Sequence, residues 1–162
     1  MASAEGNLEY QTTLAVHAVN DDTSRTVGTT MGGITDLAFS PDGERIAAAI
    51  NLNLLGSIAQ EKRDKNADLC VGFVKIWRLE DGEELLSIEM RAPNLRGKID
   101  EILANRKEAE SHSQTGGALM NAHYASSRER MPHTLRFSPD GQRLTVVTMS
   151  ESSAHFDATS GA

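Results

Sequence analysis

The pentapeptide Phe-Ser-Pro-Asp-Gly occurs twice, at Phe39–Gly43 and at Phe137–Gly141, and it leaves the backbone few choices. Pro41 and Pro139 preset φ for the first corner of a type I turn. Asp42 and Asp140 can accept hydrogen bonds from nearby amides. Gly43 and Gly141 then take the left-handed conformation that lets a second strand return. Strand-forming runs flank both copies, "ITDLA" and "PHTLR" before, "ERIAAAI" and "QRLTVVT" after. Two hairpins are expected, with Phe39 and Phe137 leading into their turns. Arg45–Ile50 is apolar without alternation, as in a strand covered on both faces, and its three alanines let neighbouring layers approach closely.

A second pattern follows each hairpin. Val74–Met90, "VKIWRLEDGEELLSIEM", reads as a strand ending in Trp77, a turn at Glu80–Gly82 and a further strand. Ser153–Gly161, "SAHFDATSG", has Phe156 where the first has Trp77, followed by Asp157 and a glycine. Val16–Thr30 has the same shape, with Val19 at the tryptophan position and Asn20 after it. The order hairpin, strand, turn, strand therefore recurs, as in folds whose repeated units bury their faces on one another.

Phe39–Gly43 with Val74–Trp77, and Phe137–Gly141 with Phe156, Asp157, Ser160 and Gly161, resemble the WD-repeat β-propeller family. The resemblance spans roughly two-thirds of the chain. It implies an all-β fold, a partial β-propeller of four-stranded antiparallel blades. The hydrogen-bonded tetrad of that family is not matched. Met31–Gly33 stands where a Gly-His pair would fall, Ala48 near the hydroxyl position, Val71 at the Asp position, and Arg78 replaces the Asp after Trp77. Trp77 is accordingly expected to pack, with the blades held by apolar contact and main-chain ladders.

On this alignment residues 1–33 supply the third and fourth strands of one blade, 34–90 a complete blade, and 133–162 the first three strands of another. Nine strands are too few for a ring of four to eight four-stranded blades. A piece of a longer polypeptide, an assembly of copies, or an arc whose last blade borrows the N-terminal strand would each fit that count. Two stretches are surplus. Residues 54–70 form a loop of alternating charge. Residues 91–132 are expected to hold one helical insertion, with Asn94 as N-cap and Leu95, Ile99, Ile102 and Leu103 on one apolar stripe. That stripe either packs on the rim or docks a partner.

Twenty-three acidic residues against 16 basic ones give a net charge of −7, which argues against a nucleic-acid partner. A single cysteine, Cys70, excludes an intrachain disulfide and a cysteine-rich zinc site. No apolar run reaches the roughly 18 residues that cross a bilayer, and the N-terminus lacks the pattern of a signal peptide. A cytoplasmic location without membrane association is expected.

The five histidines, at 17, 112, 123, 133 and 155, show no metal-site spacing. No nucleophile elbow and no phosphate-cradling glycine loop with lysine is present. No catalytic, cofactor-binding or metal residue is expected, and Asp42, Asp140 and Asp157 are assigned to turns. The resemblance implies a non-enzymatic scaffold segment that mediates protein–protein interaction, its partners being other proteins, further blades or other copies of the chain. The alternative is the propeller portion of a larger enzyme, peptidase- or kinase-associated, which gates or positions substrate.

Overall fold

The computed structural model describes residues 2–6, 11–20, 23–52, 69–92 and 130–162. Among these are ten β-strands and no helix: β1 (Ala2–Gly6), β2 (Gln11–His17), β3 (Ser24–Met31), β4 (Gly33–Phe39), β5 (Arg45–Asn51), β6 (Leu69–Arg78), β7 (Glu84–Ala92), β8 (Pro132–Phe137), β9 (Arg143–Thr148) and β10 (Ser153–Asp157). They form three sheets in chain order: β1-β2-β3, then β4-β5-β6-β7, then β8-β9-β10. Every pairing is antiparallel.

The repeated pentapeptide closes the β4–β5 and β8–β9 hairpins, and the two are superposable in register. Phe39 pairs with Ile46, which pairs with Trp77. Phe137 pairs with Leu144, which pairs with Phe156. Gly43 (φ 73°) and Gly141 (φ 70°) both occupy the left-handed region.

Alternation along the strands sends successive side chains to opposite faces, and both faces of the middle sheet are covered. Ile46, Ala48, Ile50 and Trp77 pack backward onto Leu14 and Val27 of the first sheet. Ala47, Ala49, Val74 and Ile76 pack forward onto Leu135, Leu144 and Val146 of the third. This explains the unbroken apolar run of β5, whose five central residues are wholly buried. Small alanine side chains on both faces hold the flanking sheets close.

Several expectations change. The first sheet has three strands rather than two, because Ala2–Gly6 pairs with Thr12–Val16. That pairing also removes the arc in which the N-terminal strand completes the last sheet. Val19 lies beyond β2 and is 82% exposed. The turn bond Ala18 N–H to Thr23 C=O matches Arg78 N–H to Glu83 C=O, so His17, not Val19, stands at the position of Trp77. Leu69 and Cys70 belong to β6, Arg91 and Ala92 to β7, and Pro132 to β8, so both surplus stretches are shorter than expected. The expected helix, with Leu95, Ile99, Ile102 and Leu103, lies outside the described residues, as do His112 and His123.

Candidate functional site

The two pentapeptide turns carry the same hydrogen bonds. In the first, the Ser40 hydroxyl donates to Asp42 Oδ1 and accepts from Arg45 N–H at 2.9 Å, while Glu44 N–H donates to Asp42 at 2.9 Å. In the second, Ser138 donates to Asp140 at 2.5 Å and accepts from Arg143 N–H at 2.9 Å, and Gln142 N–H donates to Asp140 at 3.0 Å. The serine hydroxyl holds each aspartate below the usual carboxylate range, assisted by the amide. Asp157 is lowered further, first by the Thr159 hydroxyl and then by the amides of Ser160 and Thr159. In Asp140 and Asp157 the turn donors all converge on Oδ1, and in Asp42 they do so with Arg45 Nη2 at 3.4 Å from Oδ2, an arrangement that ties each carboxylate into its turn.

Trp77 and Phe156 occupy matching places. Each faces the preceding sheet, and each is followed by a turn that leans on that sheet's outer strand. Gly82 (φ 77°) lies against Val27 O, and Gly161 (φ 75°) lies against Leu86 and Ile88. The turn bonds also match: Gly82 N–H to Arg78 C=O, and Gly161 N–H to Asp157 C=O. The Trp77 indole fills the space over Gly28, whose missing side chain makes room for it.

Polar clamps join the second and third sheets beside this apolar packing. Asp36 Oδ2 accepts from Leu135 N–H at 2.9 Å and from Arg136 Nη1 at 3.0 Å. Thr35 donates to Pro132 C=O at 3.1 Å. Arg45 donates to Gly141 C=O at 2.9 Å and lies 5.5 Å from the centre of the Phe137 ring. Side chains of β4 thus satisfy the backbone edge of β8, so the sheets are held by more than apolar contact and ladders.

The outward face of the third sheet differs in kind. Equivalent positions facing forward are Leu14 and Val16 in the first sheet, Val74 and Ile76 in the second, and Ser153 and His155 in the third. The row Ala38–Ala47–Ile76 of the second sheet corresponds to Arg136–Thr145–His155 in the third. Thr145 Oγ1 lies 3.0 Å from His155 Nδ1. The Arg136 side chain is 69% exposed although one guanidinium nitrogen is held by Asp36. Arg143 and Asp157 pair in the next row.

Two open clefts lie near β10, one beside its start and β7, the other where Thr159, after β10, faces the β4–β5 turn and the end of β6. The first, about 500 Å³, is lined by Met90, Thr148, Ser150, Ser152 and Ser153. The second, about 670 Å³, is lined by Glu44, Arg78, Leu79, Leu85 and Thr159. Among the described residues no group of three or more His, Cys, Asp or Glu side chains could hold a metal ion. Nor do they include a helix long and apolar enough to cross a membrane.

Sequence reasoning singled out the proline, aspartate and glycine of each pentapeptide, which lie in the turns, and the aromatic residues, of which Trp77, Phe137 and Phe156 pack at the sheet junctions while Phe39 is 44% exposed. It missed Ser40 and Ser138, which stood in the repeated motif itself and carried a signal. It also missed Asp36, Arg45 and Gly28, whose partners are remote in sequence. Neither a protein-family profile nor a curated protein matches the chain. Among solved structures it is similar to a Bacteroides fragilis protein assigned provisionally as a 6-phosphogluconolactonase, with 14% identity and a TM-score of 0.44 over 96% of this chain and 31% of that one. It is also similar to the tricorn protease, with 15% identity and a TM-score of 0.42 over 96% of this chain and 12% of that one. The chain therefore spans less than a third of the length of either.

Proposed function

We propose that the chain is a propeller-type segment of the WD-repeat kind that acts as a non-enzymatic platform for a protein partner in a reducing, cytoplasmic setting. The observation that carries this reading is the change of chemistry across the stack. Sheet faces covered by a neighbour carry Leu, Val, Ile and Ala, whereas the outward face of the third carries Arg136, Thr145, Ser153 and His155 around one valine, Val147, at the same register. A rigid stack ending in an ordered polar face provides a fixed array of recognition groups at low entropic cost, because the groups are already positioned before a partner arrives.

The test is cross-linking mass spectrometry with the chain as bait in extracts of its native cells. The reading expects a protein of defined identity joined reproducibly to the sheets. Absence of any such adduct, together with a hydrolase or kinase domain in the same gene product, would transfer the chain to the enzyme-associated alternative.

A further inference from the structure

We infer that the side of β4 and of the Phe39–Gly43 turn that looks toward the first sheet docks a partner polypeptide as one extended strand and turn, with an arginine of that segment lying over Phe39. This goes beyond the outward face of the third sheet and stands on a different observation. The chain itself shows how the matching side of another sheet is covered.

Position for position, Ile34, Leu37, Phe39 and Gly43 of the second sheet correspond to Pro132, Leu135, Phe137 and Gly141 of the third. In the third sheet this side is covered by the second. Pro132 and Leu135 are fully buried, Arg45 lies 5.5 Å from the centre of the Phe137 ring, and Arg45 Nη2 donates to Gly141 C=O at 2.9 Å. In the second sheet Ile34 and Leu37 are only half-buried, and Phe39 is 44% exposed. A Cβ on Gly141 would stand 2.9 Å from Arg45 Nη2 and 3.5 Å from Pro41, whereas on Gly43 it would meet nothing within 4 Å. The same ring, carbonyl and turn are offered twice and, among the described residues, covered once.

The neighbouring strand fixes the shape of the occupant. Ala2 pairs with Val16 as Ala47 pairs with Ile76, so β1 lies where β5 lies in the second sheet. Among the described residues β1 pairs with β2 alone, and its other edge faces the place that β4 takes beside β5. One strand fits that place, bonded to β1 and laid on Ile34 and Leu37. A second copy does not fit: Arg143 of its third sheet stands at the position of Arg45, but its β9 would fall on β1.

The turn selects the arginine. Phe39 offers a ring face to a cation and Gly43 a carbonyl acceptor, and exposed Asp42 and Glu44 make the turn acidic. Arg45 stands two residues past Gly43 but is drawn to the third sheet by Gly141 C=O. Arg143 stands likewise two residues past Gly141 and does not keep Arg45 away. Leu37 N–H is held by Asp36 Oδ1, so the docked segment gains its affinity from apolar cover, the β1 edge and the arginine.

The probe is the synthetic peptide ITDLAFSPDGER, the chain's own Ile34–Arg45, which carries the strand, turn and arginine that cover the third sheet. The same peptide with Arg45→Glu is its counterpart. Binding to the 162-residue chain is read by fluorescence anisotropy and mapped by nuclear Overhauser cross-peaks from the arginine δ-protons to the Phe39 ring. The parent peptide is expected to bind and give those cross-peaks, and the glutamate peptide to bind about tenfold or more weakly. A chain carrying Phe39→Leu keeps apolar cover and should bind the parent peptide about two- to fivefold more weakly, with no loss toward the glutamate peptide. Unchanged Trp77 emission is the folding control. Equal binding of both peptides, no binding, no effect of Phe39→Leu, or cross-peaks elsewhere would overturn the site. So would a dimer of the chain that already covers Phe39, or a longer form of the polypeptide whose residues before Met1 do so. Failure of the peptide beside a protein cross-linked in cell extracts at another face would leave the interaction reading standing and remove this site alone.

Discussion

Gly28→Ala is a small change with a large predicted consequence. Gly28 lies in β3 opposite Leu14, and a Cβ there would stand 2.6 Å from Trp77 Nε1 and 2.9 Å from Cε2. The indole is only 2% exposed and is enclosed by Leu14, Val27, Ile46, Ala48 and Ile50, so it has no empty side to turn toward. Alanine normally improves a strand interior over glycine by about 0.5–1 kcal/mol, whereas forcing a methyl into a filled core costs about 1–3 kcal/mol. The steric cost wins here, leaving a net loss of about 1–2 kcal/mol and a fall in Tm of about 2–8 °C for a chain of this size. Trp77 is the only tryptophan, so urea unfolding followed by its emission reports on this contact directly. In a Trp77→Phe background, followed by circular dichroism, the penalty should shrink, with a coupling of about 0.5–3 kcal/mol. Unchanged or improved stability of Gly28→Ala, or the same penalty in both backgrounds, would refute the reasoning.

Three further perturbations test the junctions and turns. Asp36→Ala strips the acceptor from the amide of the fully buried Leu135 and should cost about 1–3 kcal/mol in urea unfolding, with Asp36→Asn costing less because it keeps an acceptor oxygen. Ser40→Ala and Ser138→Ala remove matching hydroxyls and should each cost about 0.5–1.5 kcal/mol; a neutral result at one turn and a loss at the other would contradict their equivalence. Asp42, Asp140 and Asp157 are held below the ordinary carboxylate value in the fold, so their contribution is full above the unfolded value of about 3.9 and is lost as pH falls through the lower folded values. Urea midpoints measured downward from about pH 6 should therefore fall below about pH 4, and Asp157→Asn should flatten that fall.

The sequence was most legible where structure is local. Proline, aspartate and glycine within five residues specify a turn whatever the rest of the chain does, and both turns form with the hydrogen bonds that these residue types favour. The double burial of β5 could be read from its lack of alternation. What escaped notice depends on distance or on weak local preference. Asp36 meets Leu135 across 99 positions, and nothing in "ITDLA" marks one residue as a clamp for another sheet. β1, "ASAEG", lacks the β-branched and aromatic residues that mark a strand, and pairs because β2 offers it an edge. Val19 was misplaced because apolar character alone cannot distinguish a strand end from an exposed bend; the turn bond at Ala18 makes the distinction. The polar row Arg136–Thr145–His155 was present in the letters, but its meaning emerges only when register sets it beside Ala38–Ala47–Ile76.

The central claim is that successive sheets stack in chain order, each seating its third-strand aromatic residue and following turn on the sheet before. One nuclear Overhauser spectrum tests both junctions together. The account predicts cross-peaks from the Trp77 indole N–H to the Gly28 α-protons and from the Gly161 α-protons to the Ile88 methyl groups, as the contacts at those two glycines require. Absence of both sets of cross-peaks in a chain that retains its antiparallel strand pairings would contradict it.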